Sequence, residues 1–333
     1  MVKIGLIGYG YWGPKLVRNF FDDSACKVKT VVDLRRESLE VVKKYYPSIR
    51  TSTTIDEVFE DSKIDAVVIS TPVSTHFSLG KKALNQGKHV LIEKPMTTSY
   101  REAIELVNLA KKKKKVLMVD HTFLYTDAVP NELGKISYFD STRTNLGLFQ
   151  KDVNVLWDLA AHDISILTYL VKEKPQSILA SGISHTKNKL ENIVFVTIKY
   201  PSGFIAHLNC SWSSPVKIRL ILIGGKKKMI VYNDVEPTEK IKVYDSGYKI
   251  MNRKDPEKFQ VDYRIGDIHI PKIELQEALI GVTRDFLHAI EFGSKPISNA
   301  ALGLEVVKIL SLADKSMRNG EWPMKYEKSH FNQ

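Results

Sequence analysis

Gly8-Tyr9-Gly10-Tyr11-Trp12-Gly13 follows an apolar run over residues 2–7 and precedes a helix-like stretch over 14–21. A G-x-G-x-x-G pattern in strand–turn–helix order leaves few folds open. Gly8 permits the tight turn, Gly10 lets the backbone approach a pyrophosphate, and Gly13 lets the helix lie close to the strand. The helix N-terminus then turns free N–H groups and a positive dipole end toward the phosphates. Pro14 suits that first turn, where its missing donor would have no partner. Tyr11 and Trp12 sit inside the turn, where Trp12 either walls the nucleotide pocket or packs the helix on the sheet. A second strand over 28–32 ends in Asp33, 20 residues beyond Gly13. An acid at that place accepts hydrogen bonds from ribose hydroxyls. It repels a 2′-phosphate and so favours NAD, while Arg35 and Arg36 attract one and keep NADP open.

Up to residue 122 strand and helix alternate. Strands are predicted at 2–7, 28–32, 66–70, 89–92 and 116–119, and helices at 14–21, 37–46, 55–60, 76–86 and 100–110. Short, continuous apolar runs are what a parallel sheet covered by helices on both faces requires. Right-handed crossovers then give an α/β, doubly wound Rossmann sheet with ligands at the carboxyl ends of its strands. Beyond residue 122 the rhythm changes. A helix is predicted over 158–170, then strands over 177–184, 193–200, 204–212, 217–223 and 228–232, with Pro201-Ser202-Gly203 as a turn between two of them. This half reads as an α+β domain with an open, mostly antiparallel sheet. Residues 234–271 are polar and proline-interrupted and read as irregular strand and loop; helices over 275–292 and 301–317 close the chain. The expected organisation is a dinucleotide-binding domain over 1–122 and a substrate-binding and oligomerisation domain over 123–333, with C-terminal helices free to pack back on the first domain. An open sheet needs its outer face covered, which points to a homodimer or homotetramer.

Composition narrows the class further. The 333 residues suit two domains, and 43% apolar with 26% charged residues is ordinary for a globular enzyme. No run of about 18 apolar residues occurs, so no membrane span is expected. Met1-Val2-Lys3 runs directly into the first strand, which predicts no signal peptide. Cys26 and Cys210 are far apart and lack metal-ligand spacing, consistent with a reducing cytoplasm and no metal. The net charge of +11 fits nucleic acid, an anionic small substrate such as a nucleotide sugar, or no specific role. Its sharpest cluster, Lys111 to Lys115, ends a predicted helix, where cations suit the dipole. No aromatic residues interleave it, so nucleic acid is not expected as a partner.

Three further groups carry chemistry. Thr71-Pro72 and Glu93-Lys94-Pro95 follow strands at equivalent edges, facing the crevice where a dinucleotide would lie. A lysine beside a cationic nicotinamide is disfavoured as ammonium and so exchanges a proton readily with a hydroxyl; the alternative is an edge lysine paired with Glu93. Asp158 and His162 are one helical turn apart, where a carboxylate can orient an imidazole as a general base; the alternative is a helix cap and a satisfied core histidine. Asp163 can also cap or pair locally. His76, His121, Tyr125, Arg143 and Asn145 are weaker candidates near strand ends or the domain junction.

Together the glycine fingerprint, Thr71-Pro72 with His76, Glu93-Lys94-Pro95, and Asp158 with His162 resemble the Gfo/Idh/MocA family of nicotinamide-dependent oxidoreductases. The resemblance spans nearly the whole chain. It implies that Lys94 and His162 flank the carbon losing hydride, that Asp158 supports them, and that Lys94–Pro95 is cis. The stretches 10–20, His121-Thr122-Phe123-Leu124-Tyr125, and Asn145-Leu146-Gly147 through Trp157-Asp158 are similar to nucleotide-sugar enzymes of the 3-dehydrogenase type. That similarity implies substrate contacts from Tyr125, Arg143, Asn145 and Trp157. Asp120 departs from the family pattern, which often has glycine before the matching histidine. The implied function is an NAD(P)-dependent dehydrogenase acting on a sugar or nucleotide-sugar CH–OH group. The alternatives are an inositol, polyol or free-sugar dehydrogenase, or a non-catalytic dinucleotide sensor.

Overall fold

The computed structural model describes residues 1–125, 133–147, 149–251, 260–272 and 277–327. They divide into two units. The first comprises Met1–Thr126, Ile164–Tyr169 and Leu275–Ser311, and the second Asp127–Asp163, Leu170–Glu274 and Leu312–Gln333.

The first unit carries a six-stranded sheet: β1 (Val2–Ile7), β2 (Cys26–Val32), β3 (Arg50–Ser52), β4 (Ala66–Ile69), β5 (His89–Glu93) and β6 (Leu117–Asp120). Their spatial order is β3-β2-β1-β4-β5-β6 and every pairing is parallel. Strand order reverses between β1 and β4, so the ligand crevice of such a sheet opens at the carboxyl ends of these two strands. The α-helices of the chain are α1 (Gly13–Asp22), α2 (Arg36–Tyr45), α3 (Asp56–Phe59), α4 (His76–Asn85), α5 (Tyr100–Lys113), α6 (Ala161–Leu170), α7 (Ala278–Phe292) and α8 (Ala300–Arg318). Lys111, Lys112 and Lys113 occupy the last turn of α5, exposed, and Lys114 ends it in the left-handed region at φ 53°.

Within the first unit α7 supplies part of the core. Leu279, Val282, Phe286 and Leu287 bury against Leu16, Val17 and Phe20 of α1 and strands β1 and β2. The Phe20 and Phe286 rings meet edge to face with centroids 6.3 Å apart. Burying each such side chain stabilises the unit by about 1.5–3 kcal/mol. The first two residues of the helix expected over 275–292 lie outside the described residues.

The second unit carries a nine-stranded sheet: β7 (Ile136–Leu146), β8 (Ser177–Ile183), β9 (Ile193–Lys199), β10 (Ile205–Ser211), β11 (Ser213–Gly225), β12 (Met229–Asn233), β13 (Ile241–Met251), β14 (Gln260–His269) and β15 (Met324–Lys325). Its order is β14-β13-β12-β11-β7-β10-β9-β8-β15. Neighbours pair antiparallel except β7 and β10, which are parallel. The mostly antiparallel character inferred from the sequence is therefore present.

Two expectations need correction. The polar stretch over 234–271 is more regular than expected in its described part: it holds β13 and β14, paired from Val243↔His269 to Met251↔Gln260 with one register shift between Tyr244 and Ser246. Tyr248, Tyr263 and Ile265 are exposed there, and burial among the described residues is confined to Ile241 and Val243 at the start of β13, too short a run to show the alternation that marks a strand in sequence. β7 was not anticipated at all, although it sits at the middle of the sheet. Its Ser141, Arg143 and Thr144 are buried polar residues, which hides the strand from a hydrophobicity pattern. No helix among the described residues is long and apolar enough to cross a membrane.

Candidate active site

The fingerprint turn joins β1 to α1. Gly8 stands at φ +98°, and a Cβ there would lie 2.2 Å from the Ser70 carbonyl oxygen at the end of β4. A Cβ on Gly13 would lie 2.5 Å from the Gly8 carbonyl oxygen. Both positions exclude a side chain for reasons internal to the fold. At Gly10 the nearest atom to such a Cβ is Arg35 Nη2, at 4.0 Å. Protein packing does not explain that glycine, whereas a dinucleotide lying against the turn does. The residues present therefore fit NAD. Pro14 opens α1, and the amides of Lys15 and Leu16 donate to the Trp12 carbonyl. The Lys15 ammonium lies 4.6 Å from the Tyr11 ring centroid and 4.0 Å from that of Trp12, a cation–π arrangement that keeps the amine beside the turn.

Asp33 is held by four donors. Its carboxylate accepts from the Tyr9 amide at 2.6 Å, the Arg35 amide at 2.8 Å, Arg35 Nε at 3.1 Å and Arg35 Nη2 at 3.3 Å. Burial pushes this carboxyl up, but the bonds from Arg35 and Tyr9 outweigh it, and the net shift is below the ordinary value. Arg35 also donates from Nη2 to the Tyr9 carbonyl, so its guanidinium folds over the acid. Arg36 is exposed at the start of α2.

A second group of residues gathers at the ends of β4, β5 and β6. Thr71 Oγ1 and Thr75 Oγ1 are 2.7 Å apart. His76 is buried in the first turn of α4, its Nδ1 2.9 Å from the Pro95 carbonyl oxygen and its Nε2 2.9 Å from that of Thr71. The ring thus braces the Thr71-Pro72 loop against the Lys94–Pro95 peptide, which is cis as the resemblance implied. Glu93 and Asp120 are register partners on β5 and β6, and both are buried. Burial and then the Asp120 charge raise the Glu93 carboxyl well above its ordinary value. Burial likewise raises Asp120, against bonds from Thr122 and Glu93 and the Lys94 charge. His121 is 1% exposed, and burial, then the Lys94 charge, push its pKa down to about 3, so the imidazole is neutral. Tyr125 donates to Asp285 of α7 at 2.6 Å and accepts from the Ser298 amide at 3.2 Å. Burial and then that bond raise its hydroxyl pKa.

The remaining candidates lie in the second unit. The segment Leu156–Ala160 is a single π-helical turn ahead of α6, and Trp157, Asp158 and the approach to His162 lie on it. The spacing from Asp158 to His162 therefore runs from a π turn into α6; such turns occur frequently at functional sites. Asp158 Oδ2 accepts from Trp212 Nε1 at 3.1 Å. Trp212 was not identified from sequence; its one visible signal is a tryptophan at a strand end, a side chain that usually finds an acceptor when buried. His162 is half-buried, and Trp157 is buried with its amide donating to Asn154 Oδ1 at 3.3 Å. Arg143 grips Asp163 through Nε at 3.0 Å and Nη2 at 2.7 Å to Oδ1, with both residues buried. Ser141 donates to the same carboxylate at 3.2 Å. Asn145 lies on β7 two residues after Arg143, and its amide covers the backbone at Gly147.

Comparison with known proteins agrees with this architecture. Residues 2–121 match the model of an oxidoreductase family with an NAD-binding Rossmann fold, and residues 131–230 match the GFO/IDH/MocA C-terminal domain. The chain is 35% identical to the oxidoreductase YdgJ of Escherichia coli over 148 residues, which is 42% of this chain and 42% of that protein. It thus spans less than half the length of that relative. It is 26% identical over 219 residues to the UDP-N-acetylglucosamine 3-dehydrogenase of Acidithiobacillus ferrooxidans, covering 63% of this chain and 67% of that enzyme. A crystal form of the same enzyme superposes with a TM-score of 0.80 at 21% identity, over 96% of this chain and 98% of the other. GenD2 of gentamicin A biosynthesis, solved in complex with NAD, superposes with a TM-score of 0.82 at 19% identity over 98% and 97% of the two chains.

Proposed function

The chain belongs to the Gfo/Idh/MocA family of NAD-binding oxidoreductases, and on that premise we propose that it is a dehydrogenase exchanging hydride between a ring carbon of a sugar or nucleotide sugar and nicotinamide. The observation that carries the reading is the position of Lys94. It follows β5 at the carboxyl edge of the sheet whose β1–α1 turn forms the dinucleotide cradle, and buried carboxyls lie beside it. Bound nicotinamide supplies the hydride acceptor or donor. Protein groups supply the rest. His162 takes the proton of the hydroxyl being oxidised. Lys94 hydrogen-bonds the same oxygen and helps relay that proton. Asp158 orients His162, and its bond from Trp212 holds the carboxylate in place. Asp33 receives the adenosine ribose, which makes NAD the cofactor, with Arg35 able to swing toward a 2′-phosphate.

The nucleotide-sugar assignment rests on the sequence similarity around 121–125 and 145–158 and on the likeness to a UDP-N-acetylglucosamine 3-dehydrogenase. Screening UDP-sugars and inositols for NAD reduction tests it. The expected result is turnover with a UDP-sugar. Replacing Lys94 by Ala should lower kcat by about 10²–10⁴-fold with NAD affinity little changed. Equal turnover in that variant discards the mechanism, and turnover with inositols alone discards the substrate class.

A further inference from the structure

Glu93, Lys94, Asp120 and His121 crowd the ends of β5 and β6. Glu93 and Asp120 are directly opposite one another on adjacent parallel strands, so their side chains leave the same face of the sheet. Glu93 is 8% exposed and Asp120 1%. Asp120 Oδ1 accepts from Thr122 Oγ1 at 2.8 Å, and Glu93 Oε2 accepts from the Lys94 amide at 3.1 Å. Asp120 Oδ2 differs: among the described residues no N–H or hydroxyl donor reaches it. Its polar neighbour is the Glu93 carboxyl. Two ionised carboxylates in that position only repel, and an orphaned oxygen at this depth is expensive. A proton between them turns the repulsion into a hydrogen bond and satisfies Oδ2.

We propose that Glu93 and Asp120 form a one-proton carboxyl pair that sets the charge beside Lys94 and so acts as a positioning device for its amine. The proposal rests on the reading of Lys94 as an acid–base group of a dehydrogenase. A pair sharing one proton carries a single negative charge. One charge offsets the desolvation of an ammonium, whereas two would hold its proton too firmly for exchange with an alcohol. The surroundings leave the pair this role. Lys94 supplies the neighbouring cation at the end of β5, and its charge lowers both carboxyls. His121, following β6, is kept neutral by burial and by Lys94. Thr122 donates to Asp120. From α7, Asp285 is engaged by Tyr125. From α4, His76 faces the Thr71 and Pro95 carbonyls.

Infrared spectroscopy of the cofactor-free full-length protein reads the shared proton directly, through the C=O band of a protonated carboxyl. In the wild type this band should disappear in two separated steps as pH rises, the upper step lying well above the ordinary carboxylate range, because coupled acids titrate as a pair. In Asp120→Asn and in Glu93→Gln the upper step should be lost, leaving one step at lower pH. A wild-type band that vanishes in a single ordinary carboxylate step overturns the pair, and so does an upper step that persists in both variants. Neither result depends on turnover, so it is separable from failure of the dehydrogenase reading. The link to Lys94 is read from kinetics. Asp120→Asn combined with Glu93→Gln removes the pair's charge and should move the acid limb of the kcat profile to lower pH. An unmoved profile overturns the positioning role.

Discussion

Replacing Gly10 by Ala separates the two jobs that the fingerprint glycines perform. A methyl at Gly8 would stand 2.2 Å from the Ser70 carbonyl oxygen with φ at +98°. That contact is backbone, so the end of β4 or the turn must shift. An L side chain in left-handed space costs about 1–2 kcal/mol, and overpacking adds about 1–3 kcal/mol. Gly8→Ala should therefore lose about 2–5 kcal/mol of stability in cofactor-free protein. A methyl at Gly10 meets one atom, Arg35 Nη2 at 4.0 Å, at the far end of a flexible side chain. The fold should tolerate it within about 0.5 kcal/mol, or gain about 0.4–1 kcal/mol from a less flexible unfolded chain. The same methyl occupies the space through which a pyrophosphate approaches the turn. NADH affinity should fall at least tenfold, or about 1.4 kcal/mol. Urea unfolding of the cofactor-free variants and fluorescence titration with NADH measure the two effects independently. Wild-type NADH affinity in Gly10→Ala would refute the placement of the pyrophosphate. A wild-type urea midpoint in Gly8→Ala would refute the steric argument.

Two further perturbations test the buried charges. Arg143→Ala leaves Asp163, 1% exposed, with Ser141 but no guanidinium, which should cost about 3–5 kcal/mol; an unchanged urea midpoint would show that the pair is not what stabilises this part of the second unit. Asp33→Asn should destabilise cofactor-free protein by about 1–3 kcal/mol at neutral pH, since an amide cannot accept from all four donors. The folded-state pKa of Asp33 lies below its unfolded value of 3.8, so its contribution is present above that value and is lost as pH falls through the folded one. The difference in urea midpoint between wild type and Asp33→Asn should accordingly narrow below about pH 4; a constant difference would mean the charge is not responsible.

What could be read along the chain was local. The β1–α1 turn, the acid ending β2, and the apolar strands β4 to β6 each depend on neighbouring residues: glycine conformation, continuous apolar runs and helix-start chemistry. Lys94 was legible because a lysine at the end of an apolar strand breaks the pattern around it. The three-residue β3, the polar β7 and the β13–β14 pair were not legible: β3 is too short to show a period, β7 buries mostly polar residues on its inner face, and β13–β14 leave Tyr248, Tyr263 and Ile265 exposed. The π turn was equally hidden, since spacing alone cannot tell a wider turn from an α-turn.

Tertiary structure alone decided which distant groups meet. It brought α7 onto α1, Glu93 opposite Asp120, Arg143 onto Asp163, and the Trp212 indole onto Asp158. Each partner looks ordinary in its own segment. An acidic or basic side chain advertises its charge in sequence, but its protonation, reach and role depend on burial and on what the fold places across from it.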